Sequence, residues 1–348
     1  MQNLIFTNEV AQALASTVSA MNPAGVFMLA DANTRPIADE LNTFNAVVIT
    51  IPAGDDHKNL ATISKVWQTL STSGATRRSL LINVGGGMVT DLGGFAAACF
   101  KRGIRFINVP TTLLGAVDAA VGGKTGINFL DFKNEIGAFA PADAVIISTR
   151  FFATLPSAEL RSGFAEMLKH GLISSALDYE SLLRFDITAA DLGQLLPLLE
   201  RSVRVKREIV EQDPREQGLR RALNLGHTAG HAFESLALER HRPIPHGFAV
   251  AHGLLVEMIL SHMRLGFPSA ELHRFAALLN EAYAPAPAID CNDYPQLLAL
   301  MGHDKKNDSP DAINFTLLEA PGRPRIDQTA PADEIRTALD LYRDLTHQ

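Results

Sequence analysis

The stretch SLLINVGGGMVTDLGGF (79–95) joins two patterns that belong to different secondary structures. LLINV (80–84) is a short apolar run of the kind found in strands covered on both faces. Gly85, Gly86 and Gly87 then lead into MVTDLGGF, which reads as the opening of a helix. Without a Cβ, such glycines let backbone N–H groups approach a phosphate, and the helix N-terminus adds partial positive charge. The spacing is not GxGxxG, so the common dinucleotide fingerprint does not apply, and a plain tight turn fits the same residues.

Outward from this turn, the first half alternates. GVFMLAD (25–31), AVVITIP (46–52) and IRFINVP (104–110) read as further strands, separated by helical runs such as EVAQALASTVSAM and ATISKVWQTLSTSG. That alternation predicts a Rossmann-like parallel sheet with helices on both faces. After Phe151 the texture changes: ELRSGFAEMLKHGLI, DLGQLLPLLERSVRVKREIVEQD and HGFAVAHGLLVEMILSHMRLG carry helical periodicity and almost no strand signal. The expected organisation is α/β, with an N-terminal sheet domain over 1–150 and a mostly α-helical domain over 151–348. The break is placed near Pro141–Phe151.

Composition bounds the function. At 348 residues and 47% hydrophobic content the chain can bury a large core, and length suggests two domains. A net charge of −7 argues against general nucleic-acid binding, which needs a basic face. Cys99 and Cys291 are too few for a disulfide framework and fit a reducing compartment. MQNLIFTNEV lacks the basic start of a signal peptide, and no long uncharged apolar run suggests a membrane span. A cytoplasmic protein without a membrane partner is expected.

Several residues stand out as chemistry. Asp31 ends a strand at the edge where open α/β sheets bind ligands, although a helix cap would use it equally well. DAAVGGKTGINFLDFKNEIGAF (118–139) gathers Asp118, Lys124, Lys133 and Asn134 among glycines and reads as a loop able to hold an anion. Its VGGKTG is not a P-loop, because Asp118 stands where that motif needs its first glycine. LNLGHTAGHAFESLALERHRPIPHGFAV (223–250) contains His227, His231 and His246, each beside a glycine. His227 and His231 are spaced as in HExxH, but Thr228 replaces the glutamate, which excludes that protease pattern. A metal site would need a further acidic ligand from elsewhere; Glu166 could supply it, or could form an ordinary surface pair with Lys169.

Together, GGGMVTDLGGF, KRGIRFINVPTTLLGAVDAAVGGKTGINF, KNEIGAF, TLPSAEL, GFAEMLKHG, EQGLRRALNLGHTAGHAFE, PHGFAVAHG and MGHDKKND resemble, in order, the motifs of 3-dehydroquinate synthases. The resemblance covers roughly Asp31 to Lys306. It implies tightly held NAD, a divalent Zn2+ or Co2+, and conversion of 3-deoxy-D-arabino-heptulosonate 7-phosphate into 3-dehydroquinate and phosphate in the shikimate route. It further implies Glu166, His227 and His246 as metal ligands, with His231 left for the substrate phosphate. For NAD it implies Asp31, Asn33, the segment Asp55 to Lys58, Gly87, Met88, Val89, Thr90, Asp91, Thr111, Thr112, Lys124, Lys133, Phe151, Phe152, Ala153 and Thr154. For the substrate it implies Asp118, Lys124, Asn134, Lys169, Lys206, Glu216, Arg220, Asn224, His231 and one of Lys305 and Lys306, with Lys305 preferred. It also implies a homodimer in which Arg102 reaches the neighbouring subunit's substrate phosphate.

The chain departs from the family pattern at Asp55, usually Glu, at Thr90, usually Gly, and at Ala119 and Ala120, usually Ser. Phe248 replaces the Glu of HGE, and Ala158 stands where an arginine is common. Two other readings compete. Another sugar-phosphate cyclase would differ in few pocket residues, and a metal-dependent polyol dehydrogenase would consume nicotinamide in net redox.

Overall fold

The computed structural model describes residues 2–130, 132–302 and 313–347. It divides into two compact units, one of residues 1–155 with 192–203, the other of 156–191 with 204–348. The first unit thus extends a few residues past the expected break at 150 and includes the start of a later helix. Lys305 and Lys306 lie outside the described residues.

The first unit is built on six parallel strands, β1 (Asn3–Phe6), β2 (Val26–Asp31), β3 (Val47–Ile51), β4 (Leu80–Gly85), β5 (Arg105–Pro110) and, later in the chain, β8 (Ala144–Ile147). Their order is β1-β8-β5-β4-β2-β3. The four anticipated strands are present, and β4 and β8 are buried along their whole length, as apolar runs without alternation require. β1 and β8 are additions, each only four residues long and too short to show a period. Helices α1 (Val10–Met21), α2 (Arg35–Leu41), α3 (Leu60–Thr72) and α4 (Gly87–Cys99) connect the strands. Asn83 and Asn108 face one another in the β4–β5 register, and Asn83 Nδ2 donates to Asn108 Oδ1 at 2.9 Å.

The loop expectation for 118–139 is corrected. Lys124–Phe129 (β6) and Phe132–Phe139 (β7) form an antiparallel ribbon, and Asp118 lies in a wide helical turn, Gly115–Ala119. The glycines that suggested a loop instead allow the two strands to close: a Cβ on Gly137 would stand 2.3 Å from Thr125 O.

The second unit holds α5 (Ser157–Ser174), α6 (Ala176–Leu183), the later part of α7 (Leu192–Gln212), α8 (His227–Glu239), α9 (His246–Leu265), α10 (Ser269–Ala282), α11 (Tyr294–Gly302) and α12 (Ala332–Leu345). It also holds an antiparallel pair, β9 (Ile313–Ala320) and β10 (Arg323–Ala330), where almost no strand was expected. β10 (RPRIDQTA) gave no strand signal because its half-buried face, Pro324, Ile326, Gln328 and Ala330, carries only one strongly β-forming residue, although its burial alternates. α9 is long and apolar enough to cross a membrane by length and composition. Every residue from Ala249 to Ser261 is buried within the protein, so this is the central core helix.

Candidate functional site

Each unit carries its own group of anticipated residues. In the first, the sheet order reverses between β2 and β4, the place where open parallel sheets leave a crevice at their carboxyl ends. Asp31 ends β2 and Gly85 ends β4 there, and Thr34 Oγ1 ties them by donating to Val84 O at 2.9 Å. Asp31 Oδ1 accepts from the N–H groups of Asn33 and Thr34, so one carboxylate oxygen shapes the turn. Asn33 itself is exposed.

Gly86 is the N-cap of α4 and provides no side-chain cap, which leaves the first amides, including those of Gly87 and Met88, without the usual partner inside the helix. Thr111 N–H donates to Gly85 O at 2.9 Å, and a Cβ on Gly86 would stand 3.0 Å from Thr112 Cγ2. Thr111 and Thr112 therefore flank the glycine turn. Val89 and Thr90 are buried, and Thr90 Oγ1 donates back to Gly87 O at 3.1 Å, which accommodates the departure at this position. An uncapped glycine helix start at a sheet reversal suits a dinucleotide pyrophosphate.

Lys58 is buried, and its Nζ donates to Asp91 Oδ2 and to Asn134 Oδ1, both at 2.5 Å. Asn128, not anticipated, organises the rest: its N–H donates to Lys58 O at 2.7 Å, its Nδ2 to Asp55 Oδ2 at 3.1 Å, and its Oδ1 accepts from Asn134 N–H at 3.0 Å. Thus the Asp55–Lys58 turn, Asp91 and the ribbon residue Asn134 are one network. Lys124 and Lys133 are exposed on that ribbon. Phe151 and Phe152 are buried in a turn after β8, with Ala153 and Thr154 exposed. Arg102 is exposed in the turn after α4, at φ 66°.

In the second unit, three helices bring Glu166, His227 and His246 together. His227 Nε2 lies 3.5 Å and His246 Nε2 3.6 Å from Glu166 Oε1. Ligands about 2.0–2.2 Å from one tetrahedral ion are spaced about 3.3–3.6 Å apart, so the observed separations fit a shared cation. Glu166 is fully buried and neither carboxylate oxygen has a hydrogen-bond partner, although Oε2 pairs electrostatically with Lys169 Nζ. The surface reading of the Glu166–Lys169 pair is therefore overturned, because both side chains are buried. His227 Nδ1 meets Leu225 O at 3.1 Å and His246 Nδ1 meets Glu234 Oε2 at 3.1 Å. Both contacts place a proton on Nδ1 and turn Nε2 to the centre. Glu234 is a second residue that sequence reasoning missed.

The charges are strongly perturbed. Burial opposes ionisation of Glu166, but Lys169, His227 and His246 outweigh it and hold its carboxyl well below the ordinary range. Burial, with Lys169 beside it, pushes His227 well down despite Glu166. Burial also works against protonation of His246, yet the carboxylates of Glu166 and Glu234 beside it raise it to about 10. A divalent cation at this centre has to displace that proton.

His231 is exposed, with its ring 5.2 Å from that of His227 and 5.8 Å from that of His246. One donor nitrogen from each of the three histidines lies within 4.8 Å of the others, so proximity alone permits His231 as a ligand too. Asn224 Nδ2 donates to Glu216 Oε1 at 2.9 Å. Arg220 and Lys206 are buried, and Arg220 NH1 donates to Pro214 O at 2.8 Å. Asp213, another unanticipated residue, gathers the N–H groups of Gln217, Gly218 and Arg220, which hold its carboxyl below its usual value. Phe248 is packed between the Arg161 guanidinium at 5.3 Å and the Tyr283 ring at 5.1 Å, so an aromatic cluster fills the position of the usual glutamate.

The three helices approach at backbone distance. A Cβ on Gly247 would stand 1.9 Å from Ser162 O, joining α9 to α5, and one on Gly230 would stand 2.9 Å from Ala249 O, joining α8 to α9.

Sequence models of the 3-dehydroquinate synthase N-terminal and C-terminal domains match residues 48–162 and 163–307. A curated 3-dehydroquinate synthase from Parabacteroides distasonis is 47% identical over 348 residues, covering 99% of this chain and 98% of its own. Among solved structures, the 2-epi-5-epi-valiolone synthase ValA from Streptomyces hygroscopicus, with NAD+ and Zn2+ bound, is similar with TM-score 0.87 and 25% identity, covering 99% of this chain and 97% of that one. A 2-deoxy-scyllo-inosose synthase complexed with carbaglucose-6-phosphate, NAD+ and Co2+ gives TM-score 0.85 at 25% identity, covering 97% and 96%.

Proposed function

The chain belongs to the 3-dehydroquinate synthase family, and on that premise we propose how its own residues carry the conversion of 3-deoxy-D-arabino-heptulosonate 7-phosphate into 3-dehydroquinate and phosphate. The enzyme is a phosphate-eliminating cyclase. NAD supplies a hydride carrier that is restored in each turnover, and Zn2+ or Co2+ supplies a Lewis acid for the reacting hydroxyl. Glu166, His227 and His246 hold the metal. The observation that carries this is the pair of 3.5 Å and 3.6 Å separations around Oε1 of a buried carboxylate whose other oxygen pairs with Lys169.

The α4 N-terminus, with Gly87, Met88, Val89, Thr90, Asp91, Thr111 and Thr112, receives the nucleotide; Asp31, Asn33, Asp55, Lys58, Lys124, Lys133 and the Phe151–Thr154 turn complete its site. Lys124, Lys169, Lys206, Lys305, Arg220, Asn134, Asn224 and His231 hold the carboxylate and phosphate of a flexible substrate in reactive geometry. Asp118 and Glu216, as acceptors, take its hydroxyl groups. The Glu216–Asn224 bond fixes the amide orientation, and the Asp213 turn fixes the Arg220 backbone. Oxidation of the ring hydroxyl to a ketone acidifies the neighbouring C–H, so phosphate leaves by β-elimination. Hydride return restores the hydroxyl. The hemiketal ring then opens at its C–O bond to free the ketone and an enolate, and aldol addition of that enolate to the ketone recloses the ring.

A homodimer is proposed with Arg102 lent to the partner's site. Exposed Leu130, Phe132 and Phe139 on the β6–β7 ribbon support an apolar contact with another chain. The two cysteines are unpaired and exposed, in keeping with a cytoplasmic enzyme.

Other sugar-phosphate cyclases are the second reading, favoured by the two structural neighbours but only at 25% identity, against 47% for the dehydroquinate synthase. The test is incubation with the heptulosonate phosphate, following phosphate release and nicotinamide absorbance together. Many phosphates released per chain without NADH accumulation is expected. NADH build-up matching product would establish a dehydrogenase instead, and no phosphate release would favour another cyclase substrate.

A further inference from the structure

Glu257 is a fully buried carboxylate in the middle of α9 that neither binds metal nor faces the substrate residues in the reading above. Its Oε2 accepts the Gly226 N–H at 2.6 Å, and its Oε1 accepts the Ala229 N–H at 3.3 Å. These amides belong to the start of α8, whose N-cap, Gly226, has no side chain to cap the helix and sits at φ 79°. Glu257 therefore supplies from α9 the cap that α8 lacks. A carboxylate at a helix N-terminus is favoured by the helix dipole and by charge-assisted bonds, which offset the cost of burying it.

The placement matters because His227 is the first residue of α8 and His246 the first residue of α9. Gly226 directly precedes His227, and the His227 ring is oriented by Leu225 O two residues before it. A single carboxylate thus ties the helix carrying one ligand to the start of the helix carrying another. We propose that Glu257 is a positioning residue for the metal centre, fixing the α8 start so that His227 Nε2 meets the Glu166–His246 pair. This rests on the reading of Glu166, His227 and His246 as ligands.

Co2+ is the probe, because its visible bands report coordination geometry. The wild-type chain and His227→Ala are titrated first: one Co2+ bound by the wild type and lost in the variant supports the ligand reading, and equal binding would overturn that reading by itself. Glu257→Gln keeps the size but replaces one acceptor oxygen with a donor. At a temperature where circular dichroism shows it fully folded, it should bind Co2+ about 10–100-fold more weakly, with shifted visible bands. A purely structural role would lower the melting temperature and leave both affinity and bands at wild-type values, which overturns the proposal. If Glu257→Gln does not fold, hydrogen exchange in the wild-type chain decides. By reciprocity, Zn2+ loading should slow the Gly226 and Ala229 amides more than those of Ala338 and Leu339 in α12. Equal slowing in both groups would overturn the proposal as well.

Discussion

A Cβ placed on Gly253 would stand 2.1 Å from Gly226 O and 2.5 Å from Gly230 N. Both obstacles are backbone, so a side-chain rotation cannot relieve the contact. Gly253→Ala should separate α8 from α9, costing about 3 kcal/mol or more, since overpacking here moves main chain rather than a rotamer. Bound metal should fall with it. Gly302→Ala, where a Cβ meets nothing within 4 Å among the described residues, should be nearly neutral. Denaturant unfolding and metal analysis of the two variants make the comparison; wild-type metal content in Gly253→Ala would contradict it.

The three histidines around the metal site can be separated by the metal content of their variants. His227→Ala and His246→Ala should purify with little metal, because each removes one of three ligands. His231→Ala should keep near-stoichiometric metal while losing turnover. Equal loss from all three would make His231 a ligand.

Acid sensitivity should come in part from His252, which lies buried in α9 with Nε2 against Tyr283 O at 3.2 Å and Nδ1 against the Tyr342 hydroxyl at 3.0 Å. Burial lowers its pKa from 6.5 to about 4, with the Tyr283 carbonyl opposing the shift. The folded value is depressed, so the stabilisation is present above pH 6.5 and is lost as pH falls towards about 4. The whole effect is about 3 kcal/mol. Urea unfolding with a chelator present should show this decline in the native chain and a flatter profile in His252→Gln. Parallel profiles would place the acid sensitivity elsewhere.

Arg102 is tested by mixing. Arg102→Ala and His231→Ala chains, each inactive, are unfolded and refolded together, so that mixed dimers contain one site with His231 intact and Arg102 supplied by the partner. About a quarter of native activity should return, since about half the dimers are mixed and each has one good site. Mixed dimers without activity would assign Arg102 to its own subunit or to the surface.

The strands flanking the glycine turn were legible because apolar runs such as Leu80–Val84 have one structural meaning when glycines follow them. The β6–β7 ribbon was not, since Gly126 and Gly137 serve close approach there, a role that looks identical to loop freedom in a sequence. The histidine spacing pointed to a metal. Glu166, however, reaches that centre from 61 positions before His227, and only the resemblance singled it out as a ligand. Asn128, Glu234 and Glu257 act through hydrogen bonds to residues distant in the chain or to backbone amides, and neither leaves a spacing to read.

The Asn83–Asn108 pair bears on how the sheet assembles. β4 and β5 are parallel, and the two amides meet only in the native register. A slip of one residue would turn Asn108 to the opposite face and leave both amides stranded among apolar side chains, costing about 1–3 kcal/mol for each group left unbonded. Parallel sheets join segments distant in the chain and form slowly, which gives misaligned pairings time to accumulate. A buried polar pair at the centre therefore penalises the wrong alignment, which apolar neighbours alone would tolerate.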